Sequence, residues 1–270
     1  MIEVQVKKGG FLGVLQAYGQ EELTRRQTLA KLKKRESASR QLELKHNSFF
    51  TNHKITFETA NISLSRYDLL KGLKFPQEMT SLLAEELGAH VGDGCMSKNK
   101  NYFSVKCTKK ERAYITHLCT LYKQLYNLEL KIVEKPSVCG VELCSKGLCE
   151  FKNRVIGLPF GEKVGKVQVP ASVLESRNKE VYRAFIRGMF DTDGCIYLAK
   201  NKQYPVISIT TKSEILIGQL GDMFLKLGFF PVTNKSVVNL NGQVMLKKWL
   251  NEIGSSNPTK LEQLQNALVV

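Results

Sequence analysis

Two Asp-Gly pairs, Asp93-Gly94 in LLAEELGAHVGDGC and Asp193-Gly194 in VYRAFIRGMFDTDGC, lie one hundred residues apart, each closing an apolar helical run and each followed by cysteine. A carboxylate at the C-terminal end of a helix faces the negative pole of the helix dipole, so both aspartates stand where the local field opposes them. A divalent cation would compensate, because Mg²⁺ is held by one or two carboxylates and completes its shell with carbonyls, water and substrate phosphate oxygens. Such a centre activates water and offsets charge on the phosphoryl and leaving oxygens of a phosphodiester, which is nuclease chemistry. Lysines at matched places extend the set. Lys109 and Lys212 each follow an inner strand, and Lys163 and Lys260 each close a half of the chain. They are placed to orient water or neutralise a phosphate, although in so basic a chain any one of them also reads as a solvated side chain.

To act as a pair, the aspartates need elements that carry them to one place, and residues 80 to 270 read as an internal repeat. After Asp93-Gly94-Cys95 come the turn SKNKN, the period-two strand YFSVKCT and a helix near KKERAYITHLCTLYKQLY. After Asp193-Gly194-Cys195 come AKNKQ, YPVISITT and a helix from KSEILIGQLGDMFLKLG. Thr108-Lys109 faces Thr211-Lys212, which predicts a second hairpin three residues longer than the first. Further hairpins follow in LELKIVEKPSVCGVEL and FFPVTNKSVVNLNG, then short helices, and the halves end at Pro159 to Lys163 and Pro258 to Lys260.

Each half is therefore helix, hairpin, helix, hairpin, helix: an α+β arrangement with helices on one face of an antiparallel sheet and the other face free. The free face is expected to carry alternating polar and basic residues. Leu83, Leu87 and Val91 in one motif helix, and Tyr182, Phe185, Ile186 and Met189 in the other, form single apolar stripes. Gly88, Gly92 and Gly188 interrupt these helices at up to about 1 kcal/mol each relative to Ala, and close approach of the two helices is the expected compensation. Packed along those glycines, the helices would set Asp93 and Asp193 side by side about a pseudo-twofold axis. The hairpins are ribbons that fit a major groove. Lys98, Lys100, Lys106, Lys200 and Lys202 are candidates for phosphates or guanine edges, and Asn99, Asn101 and Asn201 for adenine, though KNKN and KNK are also ordinary turn composition.

Lys+Arg 40 against Asp+Glu 25 gives the 270-residue chain a net charge of +15, which selects a polyanionic partner, nucleic acid before membrane. A 43% hydrophobic content is that of a globular protein. No apolar run approaches the roughly eighteen residues of a membrane span, and MIEVQVKKGG has no signal-peptide core. A cytoplasmic, nucleoid-associated location is expected, or an organellar one for an organelle-encoded gene. Seven cysteines form an odd set without a close C-x-x-C pair, which argues against a disulfide framework and a zinc ribbon. Residues 1–75 stand outside the repeat: EELTRRQTLAKLKKRESASRQLELK is a basic helical stretch, open as a small DNA-binding module or a solvated helix. HKITFETANISLSRYD reads as one or two short strands, and LKGLKFPQ as the connection onward. The predicted organisation is a basic N-terminal region over 1–75, a first half over 76–170 and a second over 171–270.

GAHVGDG and RGMFDTDG resemble the paired signature motifs of single-chain LAGLIDADG homing endonucleases, the second more closely, and the resemblance covers residues 80 to 270, including GLPFGEK, VQVP and EIGSSNP. It implies two pseudo-symmetric αββαββα repeats forming a DNA-binding saddle in a monomer. It also implies Mg²⁺-dependent cutting of both strands of a long asymmetric double-stranded DNA site across the minor groove, with two or three divalent ions shared between the acidic sites and Mn²⁺ as a substitute. By the same resemblance Asp93 and Asp193 hold metal, the carbonyls of Gly92 and Thr192 join them, and Lys109, Lys212, Lys163 and Lys260 take the polar and basic places around them. The acid frequent upstream of the first motif is replaced by Val91, whereas the second has Asp191, at a position that is usually structural. MIEVQV and NALVV lack the terminal residues of an intein, so a free-standing protein is expected. A maturase acting on intron RNA, or a regulator that binds DNA without cutting, would keep the same fold; the two aspartates favour the nuclease.

Overall fold

Side chains that accept from the first turn set most helix starts. Ser65 opens α1 (Arg66–Leu70) and Thr80 opens α2 (Ser81–Asp93); α3 (Arg112–Tyr126) instead grows out of a 3₁₀ turn, Lys109–Glu111. Ser145 opens α4 (Lys146–Glu150), which passes into a π-helical turn, Phe151–Val155. After α5 (Ala171–Glu175), Asn178 opens α6 (Lys179–Asp193) and Ser213 opens α7 (Glu214–Lys226). α8 (Gln243–Glu252) follows, and Asn257 opens α9 (Pro258–Asn266) with proline in its first turn. The structure, a computed structural model, describes residues 48–99, 101–162, 165–199 and 204–268. Among these residues no helix is long and apolar enough to cross a membrane.

Strands β1 (Gly94–Ser97), β2 (Tyr102–Thr108), β3 (Ile132–Glu134) and β4 (Val138–Cys144) form an antiparallel sheet in the order β1-β2-β4-β3. The second half repeats it with β5 (Gly194–Ala199), β6 (Tyr204–Thr210), β7 (Pro231–Asn234) and β8 (Val237–Asn241) in the order β5-β6-β8-β7. The α+β fold of two αββαββα repeats is thus present, with α9 added at the end of the second. Alternation decides the faces: Met96, Phe103, Val105, Val141 and Leu143 are buried under the helices, as are Ile207, Ile209, Val238 and Leu240.

The glycines do bring the motif helices together. A Cβ on Gly88 would overlap the carbonyl oxygen of Phe185, and one on Gly188 that of Glu85, so backbone meets backbone with the same one-hundred-residue shift on both sides. Across this interface Glu85 accepts from Arg187 Nη2 at 2.5 Å and Nε at 3.0 Å, and lies 2.7 Å from His117 Nε2. Burial pushes the Glu85 carboxyl up, but His117, Arg187 and Ser256 outweigh it and hold it down at about 2, against 4.5 when unfolded. A carboxyl depressed by folding contributes stability that is complete above pH 4.5 and lost as pH falls through 2. Glu85→Gln is therefore expected to destabilise the protein by about 3 kcal/mol at neutral pH. The melting difference from wild type should shrink as the pH is lowered from 4.5 towards 2, which thermal unfolding across that range checks.

The interiors of the halves differ. Under the first sheet Lys152 Nζ and Tyr122 Oη donate to Glu86 Oε1, and Tyr126 Oη donates to Glu86 Oε2 at 2.9 Å, all fully buried. Burial lowers the Lys152 ammonium pKa, and Glu86 works against that. In the second half Ile186 stands one hundred residues on from Glu86, and the rings of Phe190, Phe224, Phe229 and Trp249 pack together instead.

Phe49 and Phe50 pack on Tyr182, and Phe57 and Phe75 on Phe151, so residues 49–75 touch the body of the two repeats. Two expectations are corrected. Within HKITFETANISLSRYD the described pairing is a single bridge, Thr56 to Glu78, while the segment's end enters α1, whose capping box between Ser65 and Asp68 favours helix over strand. The basic stretch from Glu21 to Lys45 lies outside the described residues. Finally, Gly94 pairs with Val105, eleven residues on, and Gly194 with Ile209, fifteen on, so the second hairpin is longer by four residues rather than three.

Candidate metal and DNA-binding site

α2 passes into β1, and α6 into β5, without an intervening loop, so Asp93 and Asp193 sit at helix–strand junctions. The exits are closed alike: Gly94 N–H donates to the His90 carbonyl and Gly194 N–H to that of Phe190. A Cβ at Gly94 would lie 2.6 Å from His90 Cγ, and one at Gly194 would overlap the Phe190 ring, so a side chain there would push the strand off the helix end. The two ends also meet each other. A Cβ on Gly92 would overlap Thr192 Oγ1 and stand 3.3 Å from Asp193 Oδ2, which places the Asp193 carboxylate against the residue preceding Asp93. Asp93 is exposed and Asp193 half-buried.

Lys260 reaches the same point from the first turn of α9. Its Nζ donates to the carbonyls of Phe190, Thr192 and Gly194, each at 2.8 Å, which uses all three ammonium protons at the negative end of α6. Burial lowers the Lys260 ammonium pKa, while Glu111, Asp191, Asp93 and Asp193 oppose that, so four carboxylates bear on one cation. Asp191 is buried; it accepts from Ser255 Oγ, and from Ser256 N at 2.9 Å. Burial nonetheless pushes its carboxyl up to about 6.

Glu111 and Asn257 were not singled out by the sequence reading, yet they join the halves. Asn257 Nδ2 donates to Glu111 Oε1 at 2.7 Å and to the Asp191 carbonyl at 3.2 Å, while Thr108 Oγ1 donates to Glu111 Oε2 at 2.8 Å. Glu111 is one acid in the run KKER, and its partner lies 146 residues away, so no local pattern marks it.

The other predicted residues scatter. Lys109 is exposed, with Nζ 3.9 Å from Glu134 Oε2, and Lys212 is exposed in the turn after β6. Lys109 lies four residues past the partner of Gly94 and Lys212 three past that of Gly194, so the two lysines are one residue out of register. Lys98 and Asn99 are exposed in the β1–β2 turn, which Asn101 closes at φ 46°. Lys106 lies on the open face of the first sheet. Lys100, Lys163, Lys200, Asn201 and Lys202 lie outside the described residues. The open faces are not the alternation of polar and basic residues expected: Cys95, Tyr102, Ser104 and Glu142 accompany Lys106 on one, and Cys195, Tyr197, Ser208, Thr210, Asn239 and Asn241 make up much of the other. Described lysines fall in turns and helices more than on these strands.

Among the described residues no three His, Cys, Asp or Glu side chains converge as a ready-made metal site, and all seven cysteines are free. A hard cation that keeps water and borrows phosphate oxygens needs less, and oxygen donors are what the junction offers in Asp93, Asp193 and the nearby backbone. The donor set fits Mg²⁺ with one complication, that the Thr192 carbonyl already accepts from the Lys260 ammonium.

Residues 180–268 match the family described as the LAGLIDADG-like domain. Residues 180–268 are a LAGLIDADG-like domain. The match covers the second repeat, and the first repeat has the same topology, the same helix–strand junction and the Gly88 and Gly188 contacts in common. The chain is also 27% identical over 213 residues to an A-type ATP synthase subunit of Pyrococcus abyssi, covering 73% of this chain and 20% of that protein. It is 27% identical over 216 residues to the replication factor C small subunit of Methanocaldococcus jannaschii, covering 75% and 11%. It thus spans a fifth or less of the length of these relatives. The solved homing endonuclease I-WcaI bound to its DNA recognition sequence is similar at 16% identity and a TM-score of 0.48, covering 76% of this chain and 92% of that one.

Proposed function

We propose that the protein is a site-specific double-stranded DNA endonuclease of the homing type, hydrolysing one phosphodiester on each strand with Mg²⁺. The observation that carries this reading is the approach of the Asp193 carboxylate to Gly92, the residue before Asp93, where two equivalent helix–strand junctions come together inside a chain of net charge +15. When bound, the divalent ion would supply an activated water and a counter-charge for the phosphoryl oxygens. Asp93, Asp193 and the Gly92 carbonyl would hold it, and Lys260, Asn257 and Asp191 would keep the Asp193 end of α6 in place. The two sheets would lie along the duplex, and their unequal faces suit an asymmetric target read by one polypeptide. The relatives matched over a fifth of their length or less have names that share no activity with one another, which suits a self-contained module carried by different hosts.

A second reading, a DNA binder that does not cut, is favoured by Lys260, whose ammonium occupies the Thr192 carbonyl that a cation would otherwise use. One experiment separates the two. Full-length protein is incubated with Mg²⁺ and a duplex made by joining the flanks of its own gene's insertion point. A double-strand break is expected; retention of that duplex without a break would favour the binder, and neither retention nor cleavage would overturn both.

A further inference from the structure

The open face of the first sheet carries an acid where a DNA-binding surface would be expected to avoid one. Glu142 on β4 lies 2.8 Å from Lys106 Nζ on β2, and Lys135 Nζ is 3.9 Å away. Tyr102 also hydrogen-bonds to Glu142, and these partners, Lys106 foremost, hold the carboxyl below its usual range. Gly140 stands directly opposite Lys106, where a Cβ would lie 2.9 Å from Lys106 Cγ. The missing side chain lets β2 and the Lys106 stem lie close over Gly140, beside a shallow notch lined by Val133, Lys135 and Val138 with Lys106 and Glu142.

A phosphate contact needs only the lysine; a carboxylate beside it repels the backbone and is compensated only if the DNA offers a donor. In the major groove those donors are base amino groups: a carboxylate accepts from cytosine N4, and a lysine donates to guanine O6 and N7. A donor and an acceptor held side by side therefore complement the two edges of one G·C pair. The second half sharpens this. The cross-strand row Cys95, Ser104, Glu142 recurs as Cys195, Ser208, Asn239, and Lys106, next after Val105, is matched by Thr210, next after Ile209. The two rows are the same until the third residue, where an acid is exchanged for the amide that reads adenine.

We infer that Lys106 and Glu142 together read one G·C base pair, and that this row is where the two halves diverge in sequence preference. The inference rests on the DNA-binding reading above. Full-length wild type, Glu142→Gln, Glu142→Asn and Lys106→Met would each be used to select duplexes from a random pool, and the bound fraction sequenced. Both side chains are partly exposed, so melting curves should coincide. Wild type is expected to select G·C at one position, Glu142→Gln and Lys106→Met to relax that preference roughly tenfold, and Glu142→Asn to move it towards A·T with the rest of the site unchanged. A site unaltered at every position, or weakened uniformly, would overturn the inference and leave Lys106–Glu142 a surface ion pair. Wild type that retains no duplex above background would instead overturn the DNA-binding reading, and the inference with it.

Discussion

Asp193→Asn is expected to reduce double-strand cleavage at least roughly a thousandfold while target binding stays within about twofold of wild type. The amide keeps the shape of the carboxylate and removes the charge, and in an otherwise cationic chain the lost negative charge does nothing to weaken attraction to DNA. Asp93→Asn should behave alike. If each acid serves one strand, either variant will accumulate nicked product before any linear product, which a supercoiled plasmid carrying the target displays directly. Loss of binding with an unchanged melting temperature would move Asp193 from catalysis to recognition.

Gly188→Val is expected to destabilise the protein by more than about 4 kcal/mol, enough to abolish cooperative unfolding at physiological temperature. Its side chain would have to enter the space of the Glu85 carbonyl, and that carbonyl belongs to a helix buried along most of its length, with Leu83, Ala84 and Leu87 fully covered. Neither partner is a flexible side chain that could swing away. Gly218 lies on the exposed side of α7, and a Cβ added to it would meet nothing within 4 Å. Gly218→Ala therefore provides the contrast: it should stabilise by about 0.5–1 kcal/mol through helix propensity alone. Chemical denaturation of both variants against wild type checks the pair.

The repeat, the motif helices and their glycine contact were legible because each depends on local periodicity or on a recurrence at one fixed spacing. Gly88 and Gly188 stand out as residues that a helix would avoid without a neighbour to meet. Lys260 was found by its recurrence near Pro258, but that it binds three carbonyls follows only from the way α9 folds back over the end of α6. Glu111 and Asn257 were invisible for the same reason, since one hydrogen bond between distant loops leaves no periodic trace. The match of Lys109 to Lys212 failed in register because a hairpin absorbs extra residues at its turn and slides the strand beyond it, which sequence alignment alone does not resolve. The basic character expected of the sheet faces came from averaging charge over strands and turns together.

The buried partnership of Glu86 with Lys152, Tyr122 and Tyr126 has a consequence for how such a chain can be rearranged. A chain of two second halves would hold hydrocarbon and aromatic rings in both interiors, whereas two first halves would each enclose an ion pair that must find its partner before the sheet closes over it. A graft that moved α2 alone would strand Glu86 among the rings around Trp249, and one that moved α6 alone would leave Lys152 facing Ile186. The units share a backbone but not an interior, and any recombination between them must carry whole halves.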